Sequence, residues 1–147
     1  MSESSDDVPI GELDVPTLRT IGRRAETHLL VESRQFDPSS AAPRMLQLRI
    51  DAEACPLAVD SARLDVRWFT TDDYSFHYIE SRGNDQYHCR WDRHPKSDAP
   101  RTHFHPPPDA GAAEESSLDA HFLDVLFTVL DWTSERVERL HETTDSK

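Results

Sequence analysis

Of the eight histidines in the chain, His77, His88, His94, His103 and His105 fall in the stretch from Tyr74 to Pro108, together with Arg90 and Asp92. Imidazole changes charge near neutral pH, so it can take a proton, give one, bind a metal or simply hydrogen-bond. With an arginine to neutralise anionic oxygens, two histidines supply the parts for metal-free phosphodiester cleavage: one base, one acid and a clamp for the phosphate. Asp92 could orient one of the rings. The competing reading is a cross-strand network of His, Arg and Asp that only solvates an exposed sheet face.

Spacing decides which of these residues can meet. Tyr74, Phe76 and Tyr78 alternate along one run, and Tyr87, Cys89 and Trp91 along the next. The two sets share a face only if paired positions sum to an odd number, which a two-residue turn at Gly83 and Asn84 achieves, with Gly83 supplying the positive φ of a type II′ turn. His77 then lies opposite Arg90 and Ser75 opposite Asp92. Ser75, His77, His88, Arg90 and Asp92 form a polar face behind the aromatic one. His103 and His105, two residues apart in an extended segment, point the same way and could join His88 or His94 as metal ligands. Two ligands make no site, however, and loop histidines that pack against prolines explain the same pattern.

The surrounding elements follow from periodicity. A short helix is expected from Asp14, with Pro16 in its first turn and Leu18 and Ile21 on one face, weakened by Gly22. Alternation through THLLVESRQF, MLQLRID and LDVRWFTT predicts strands, the last with Leu64, Val66 and Trp68 on one side and Asp65, Arg67 and Phe69 on the other. Residues 93–116 read as a long Pro- and His-rich loop, in which Pro95 and Pro106 hold His94 and His105 extended and Pro106 to Pro108 favour polyproline II geometry. Ser116 and Asp119 resemble a capping box that opens a helix over about residues 117–141. The expected fold is α+β: a twisted antiparallel meander of about four or five strands, with the long C-terminal helix packed on its aromatic face. Residues 1–12 are expected to be disordered and acidic, 13–142 to form one domain, and 143–147 to be a disordered tail.

Composition bounds the partners. There are 28 acids against 16 bases, a formal charge of −12, and only Lys96 and Lys147 are lysines. Such self-repulsion is tolerated where salt shortens the Debye length to about 3 Å near 1 M, so the balance points to a salt-in cytoplasm. The same charge opposes non-specific attraction to nucleic acid or anionic membranes unless a local basic patch overrules it. No signal peptide, long apolar run, glycine-rich phosphate loop or nucleophile elbow is found, and no cofactor is implied. Cys55 and Cys89 lack any CxxC spacing and read as reduced, partly buried thiols.

The segment YSFHY…HCRWDRHP…HFHPPP resembles the TumE-type toxin family, through Tyr74, Ser75, His77, Tyr78, Arg90, Trp91, Asp92, His94, Pro95, His103 and His105. It departs from the family pattern at Arg93, where an asparagine is usual, and at the prolines after His105, and it looks most like a haloarchaeal branch. The resemblance implies a toxin component paired with a DNA-binding antitoxin. Its target on this reading is RNA, with His77, His88, Arg90, Asp92, His94, His103 and His105 lining one site. The alternatives are a non-enzymatic module that docks a protein or nucleic acid, and a small metal-binding regulator. The oligomeric state is left open by the sequence.

Overall fold

Helix α1 (Val15–Ala25) begins where Asp14 accepts a hydrogen bond from the Thr17 backbone amide, 3.2 Å from Oδ1, and Pro16 occupies the first turn. Leu18, Ile21 and Ala25 are buried along one side of it. The computed structural model describes residues 11–94, 102–116, 118 and 121–145. Gly22 costs the helix about 0.5–1 kcal/mol relative to alanine, and the packing explains its presence: a Cβ there would lie 3.0 Å from Arg34 Cδ and 3.5 Å from Leu46 Cδ2.

Among the described residues seven strands follow in one antiparallel sheet: β1 (Val31–Asp37), β2 (Met45–Ile50), β3 (Ser61–Trp68), β4 (Tyr74–Arg82), β5 (Asp85–Arg93), β6 (Thr102–His105) and β7 (Glu114–Glu115). Each strand lies beside its neighbour in sequence, so the sheet is a pure meander. The expected four or five strands are too few. The segment read as a loop over residues 93–116 supplies β6 and β7, and Thr102 is pinned by donating its hydroxyl proton to the Ser116 carbonyl. Between them Pro107 and Pro108 lie in a turn that Gly111 N closes by donating to the Pro106 carbonyl at 2.9 Å, so the three prolines are not a continuous polyproline II segment.

The β4–β5 register is the one the turn demanded, with His77 opposite Arg90, Ser75 opposite Asp92 and Phe76 opposite Trp91. Gly83 has φ +58, and Asn84 is not among the non-glycine residues of positive φ, which fits a type II′ turn. One sheet face carries Leu46, Leu48, Leu64, Val66, Trp68, Tyr74, Phe76, Tyr78, Cys89 and Trp91, all buried. Helix α2 (Phe122–Asp145) covers it with Val125, Leu126, Val129, Leu130, Val137 and Leu140. Trp132 meets Tyr78 and Trp91 edge-on at centroid distances of 5.1 and 5.3 Å. Such contacts are each worth about 0.5–1.5 kcal/mol beyond the area they bury.

Two boundaries differ from expectation. Helix α2 starts at Phe122 rather than near residue 117, and it ends at Asp145 rather than near residue 141. Asp119, the second half of the expected capping box, lies outside the described residues, as do Ser117, Pro95, Lys147 and the acidic residues 1–10. Both cysteines are free and buried, as expected, and burial pushes the Cys89 thiol up to about 12.

One polar tie joins the layers. Glu80 follows the even-numbered aromatic positions of β4 onto the core face and is fully buried. Arg136 of α2 donates to both of its carboxylate oxygens, at 3.0 and 2.8 Å, while its guanidinium lies 3.5 Å from the centre of the Tyr87 ring. The Tyr78 hydroxyl donates to the same carboxylate at 2.6 Å.

Candidate functional site

The polar face is built by register. Asp65, His77, Arg90 and His105 pair laterally across β3, β4, β5 and β6, and Arg67, Ser75, Asp92 and His103 form the next row. Positions on one face of a strand recur every second residue, so β6 adds both of its histidines to the face that β4 and β5 begin. Six of the seven residues proposed from sequence are thereby placed by strand pairing. His94 follows directly after β5 and reaches the same group.

Asp92 is the centre. It is only 1 % exposed, and Arg90 Nε donates to its Oδ2 at 2.8 Å. His94 Nε2 and His105 Nε2 approach the same oxygen at 3.3 and 3.4 Å, and His103 Nδ1 stands 3.6 Å from Oδ1. No hydrogen bond from the described residues reaches Oδ1. Burial by itself would raise the Asp92 pKa, but the hydrogen bonds from His94 and Arg90 and the charges around them outweigh it and hold it below the ordinary carboxylate value. Asp92 is therefore the buried anion that gathers the basic groups.

His105 has no ring nitrogen left to offer. Its Nδ1 is 3.0 Å from the Gly111 carbonyl, which can only accept, and its Nε2 faces Asp92. The loop that brings Gly111 there is fixed along β5, since His88 N donates to the Pro108 carbonyl at 2.8 Å and Ala110 N to the His88 carbonyl at 3.0 Å. The proline-rich segment is thus a brace for β5 and β6.

His77 and His88 form a second group, with Nε2 and Nδ1 2.9 Å apart. One proton lies between two nitrogens at that distance, and each ring keeps its other nitrogen. Burial first, then the charges of His88 and Arg90, bring His77 down to about 4. Near neutrality His77 is uncharged and can accept a proton.

A pocket of about 290 Å³ opens on this face. Its wall includes Ser75, His77, Arg90, Asp92 and His94, with Phe69 at its edge. His88 lies against His77, and His103 and His105 against Asp92, outside that lining. Of the seven residues expected to line one site, His77, Arg90, Asp92 and His94 line the pocket, and His88, His103 and His105 lie within 3.6 Å of His77 or Asp92. Among the described residues, no three His, Cys, Asp or Glu side chains converge to hold a metal ion.

The family model described as Toxin TumE matches residues 19–137, most of the chain and all seven residues of the polar cluster. The chain belongs to the TumE toxin family. Membership makes it the toxin component of a toxin–antitoxin pair and implies an antitoxin partner. No curated protein and no solved structure matches this TumE-family chain. None of its described helices is long and apolar enough to cross a membrane.

Three features of this TumE-family site went unnoticed in the sequence. Arg67 and Phe69 belong to the pocket rim, and their place on the polar side of β3 was legible without its consequence. The Asp73–Arg93 ion pair, 2.8 Å long, is part of the pocket's lining and joins the β3–β4 turn to the end of β5. Gly111 had no signal, because its role is to present a carbonyl.

Proposed function

We propose that the toxin cleaves single-stranded RNA at the Asp92 pocket by a metal-independent transesterification. The observation that carries the reading is the wall shared by His77, Arg90, Asp92 and His94: two imidazoles and a guanidinium line one pocket of about 290 Å³, room for a phosphodiester group. His77, uncharged near neutrality, accepts the proton of the ribose 2′-hydroxyl as its oxygen bonds to phosphorus. Arg90 neutralises the non-bridging oxygens, and His94, oriented by Asp92, donates a proton to the departing 5′ oxygen as the P–O bond breaks. The products are a 2′,3′-cyclic phosphate and a 5′-hydroxyl. His88, His103 and His105 position these groups.

A labelled oligoribonucleotide incubated with the protein in EDTA tests the reading. Cleavage to cyclic-phosphate ends is expected, with His77→Gln and His94→Gln each slowing it by roughly a hundredfold or more, the usual weight of an acid or base. A 2′-deoxy nucleotide at the scissile position should block it. Intact RNA under conditions where the toxin arrests growth would overturn the proposal.

A non-enzymatic docking surface is the second reading, favoured by the way four basic side chains already surround the Asp92 carboxylate. It predicts RNA or protein binding without strand scission, and growth arrest that survives both glutamine variants.

A further inference from the structure

A second cleft lies on the other side of the sheet. It encloses about 480 Å³ between α1 and the strands β1 and β2, over a floor of Leu18, Phe36 and Leu46, and its walls carry Arg19, Arg23 and Arg34. Three guanidiniums converge there in a chain of net charge −12. Glu26 answers one of them, with an exposed contact of 3.3 Å to Arg34. Arg23 donates only to the neutral hydroxyl of Thr20, and Arg19 makes no hydrogen bond or ion pair with the described residues. Two positive charges beside an apolar floor are therefore unanswered.

The cleft also borders an open sheet edge. Strand β1 pairs with β2 alone among the described residues, so one side of its backbone offers N–H and C=O groups to a further strand. Arg34 and Phe36 sit opposite Leu48 and Leu46, on the face that looks into the cleft. A strand added to β1 would direct every second side chain the same way. Carboxylates at those positions would meet guanidiniums, which bind them through paired hydrogen bonds.

We propose that this cleft and the β1 edge together are the docking site for an extended acidic segment of the partner protein, added to the sheet as an extra strand with its carboxylates on Arg19 and Arg23. Gly22 serves the same site by letting the Arg34 side chain cross α1 closely. Docking there leaves the histidine face uncovered by the added strand, so the partner holds the toxin from behind. This inference does not depend on RNA cleavage.

The probe is a labelled ten-residue peptide of alternating glutamate and valine, titrated into the full-length protein in 0.1 M salt, with a glutamine–valine peptide as control. Binding by the first peptide is expected, at least tenfold tighter than by the second. The exposed double variant Arg19→Ala/Arg23→Ala should weaken it tenfold, and His77→Gln should leave it unchanged. Amides of residues 31–37 should become protected from hydrogen exchange on binding. Equal binding by the double variant, or binding without protection of β1, would overturn the proposal. So would displacement of the peptide by inorganic phosphate or single-stranded RNA, which would make the cleft a phosphate site. Concentration-dependent protection of β1 without peptide would overturn it in favour of a second copy of the chain.

Discussion

His77 shows how one residue couples the site to stability. Unfolded, its imidazole takes up a proton near 6.5; folded, it does so only near 4. Between those values the unfolded chain binds more protons, so stability rises with pH across the window, is complete above about 6.5 and is lost on descending towards 4. The shift is worth on the order of 2 kcal/mol once partial solvent screening is allowed for. Asp92, held below the ordinary carboxylate value, contributes in the same sense at lower pH: its stabilisation is present above the unfolded carboxylate pKa and disappears as acid protonates the folded group. Urea midpoints at pH 7.5 and 5 check the first window. The wild type should lose stability between them, and His77→Gln should lose clearly less; an equal loss would assign the effect elsewhere. At this scale the sequence was most informative where parity alone decides position, as for His77, Arg90 and Asp92. Gly111 and the closing of both His105 nitrogens were illegible, because they depend on where a loop returns in space rather than on any residue's type.

Among the elements, the tie between β4 and α2 is the most exposed to mutation. Glu80 has no water to return to, so removing its partner strands a buried carboxylate, a loss that commonly costs about 3–5 kcal/mol. Arg136→Met should approach the lower end of that range, since Arg82 Nε remains 3.4 Å from Glu80. The double variant Glu80→Gln/Arg136→Met should recover much of it by removing the charge as well. Thermal or urea denaturation checks both, and a single variant as stable as the wild type would show that the pair carries no weight. Burial pushes the Tyr78 hydroxyl upwards, helped by the neighbouring Glu80 charge, so it stays a hydrogen-bond donor to that carboxylate. Parity along YSFHYIE already put Glu80 among the core aromatics, but a glutamate there reads as an error until Arg136 is seen above it. The β3–β5 meander was legible because its alternation is long and Gly83 marks the turn. Strand β6 was not: THFH is only four residues, and the flanking prolines speak for a loop, whereas its backbone is held by pairing with β5.

For the whole molecule, charge and topology set the behaviour. A net charge of −12 repels itself, and added salt screens that repulsion more than it weakens buried pairs. The unfolding temperature should therefore rise from 0.1 to 1 M KCl; a fall would mean that surface ion pairs outweigh the repulsion. The meander has a different consequence, concerning the order in which the parts come into existence. Each strand finds its neighbour already made as the chain leaves the ribosome, since no pairing in the sheet skips a strand. Local pairing of this kind is rapid. The pocket's own residues are all synthesised by His94, yet the helix that covers the apolar side of the sheet begins only at Phe122. A nascent chain halted between the two carries every pocket residue on a sheet whose other face has α1 but not yet α2 against it. Burial of the sheet's apolar face is thus tied to the late arrival of α2, and a copy without that helix is a liability for folding before it can be one for its target.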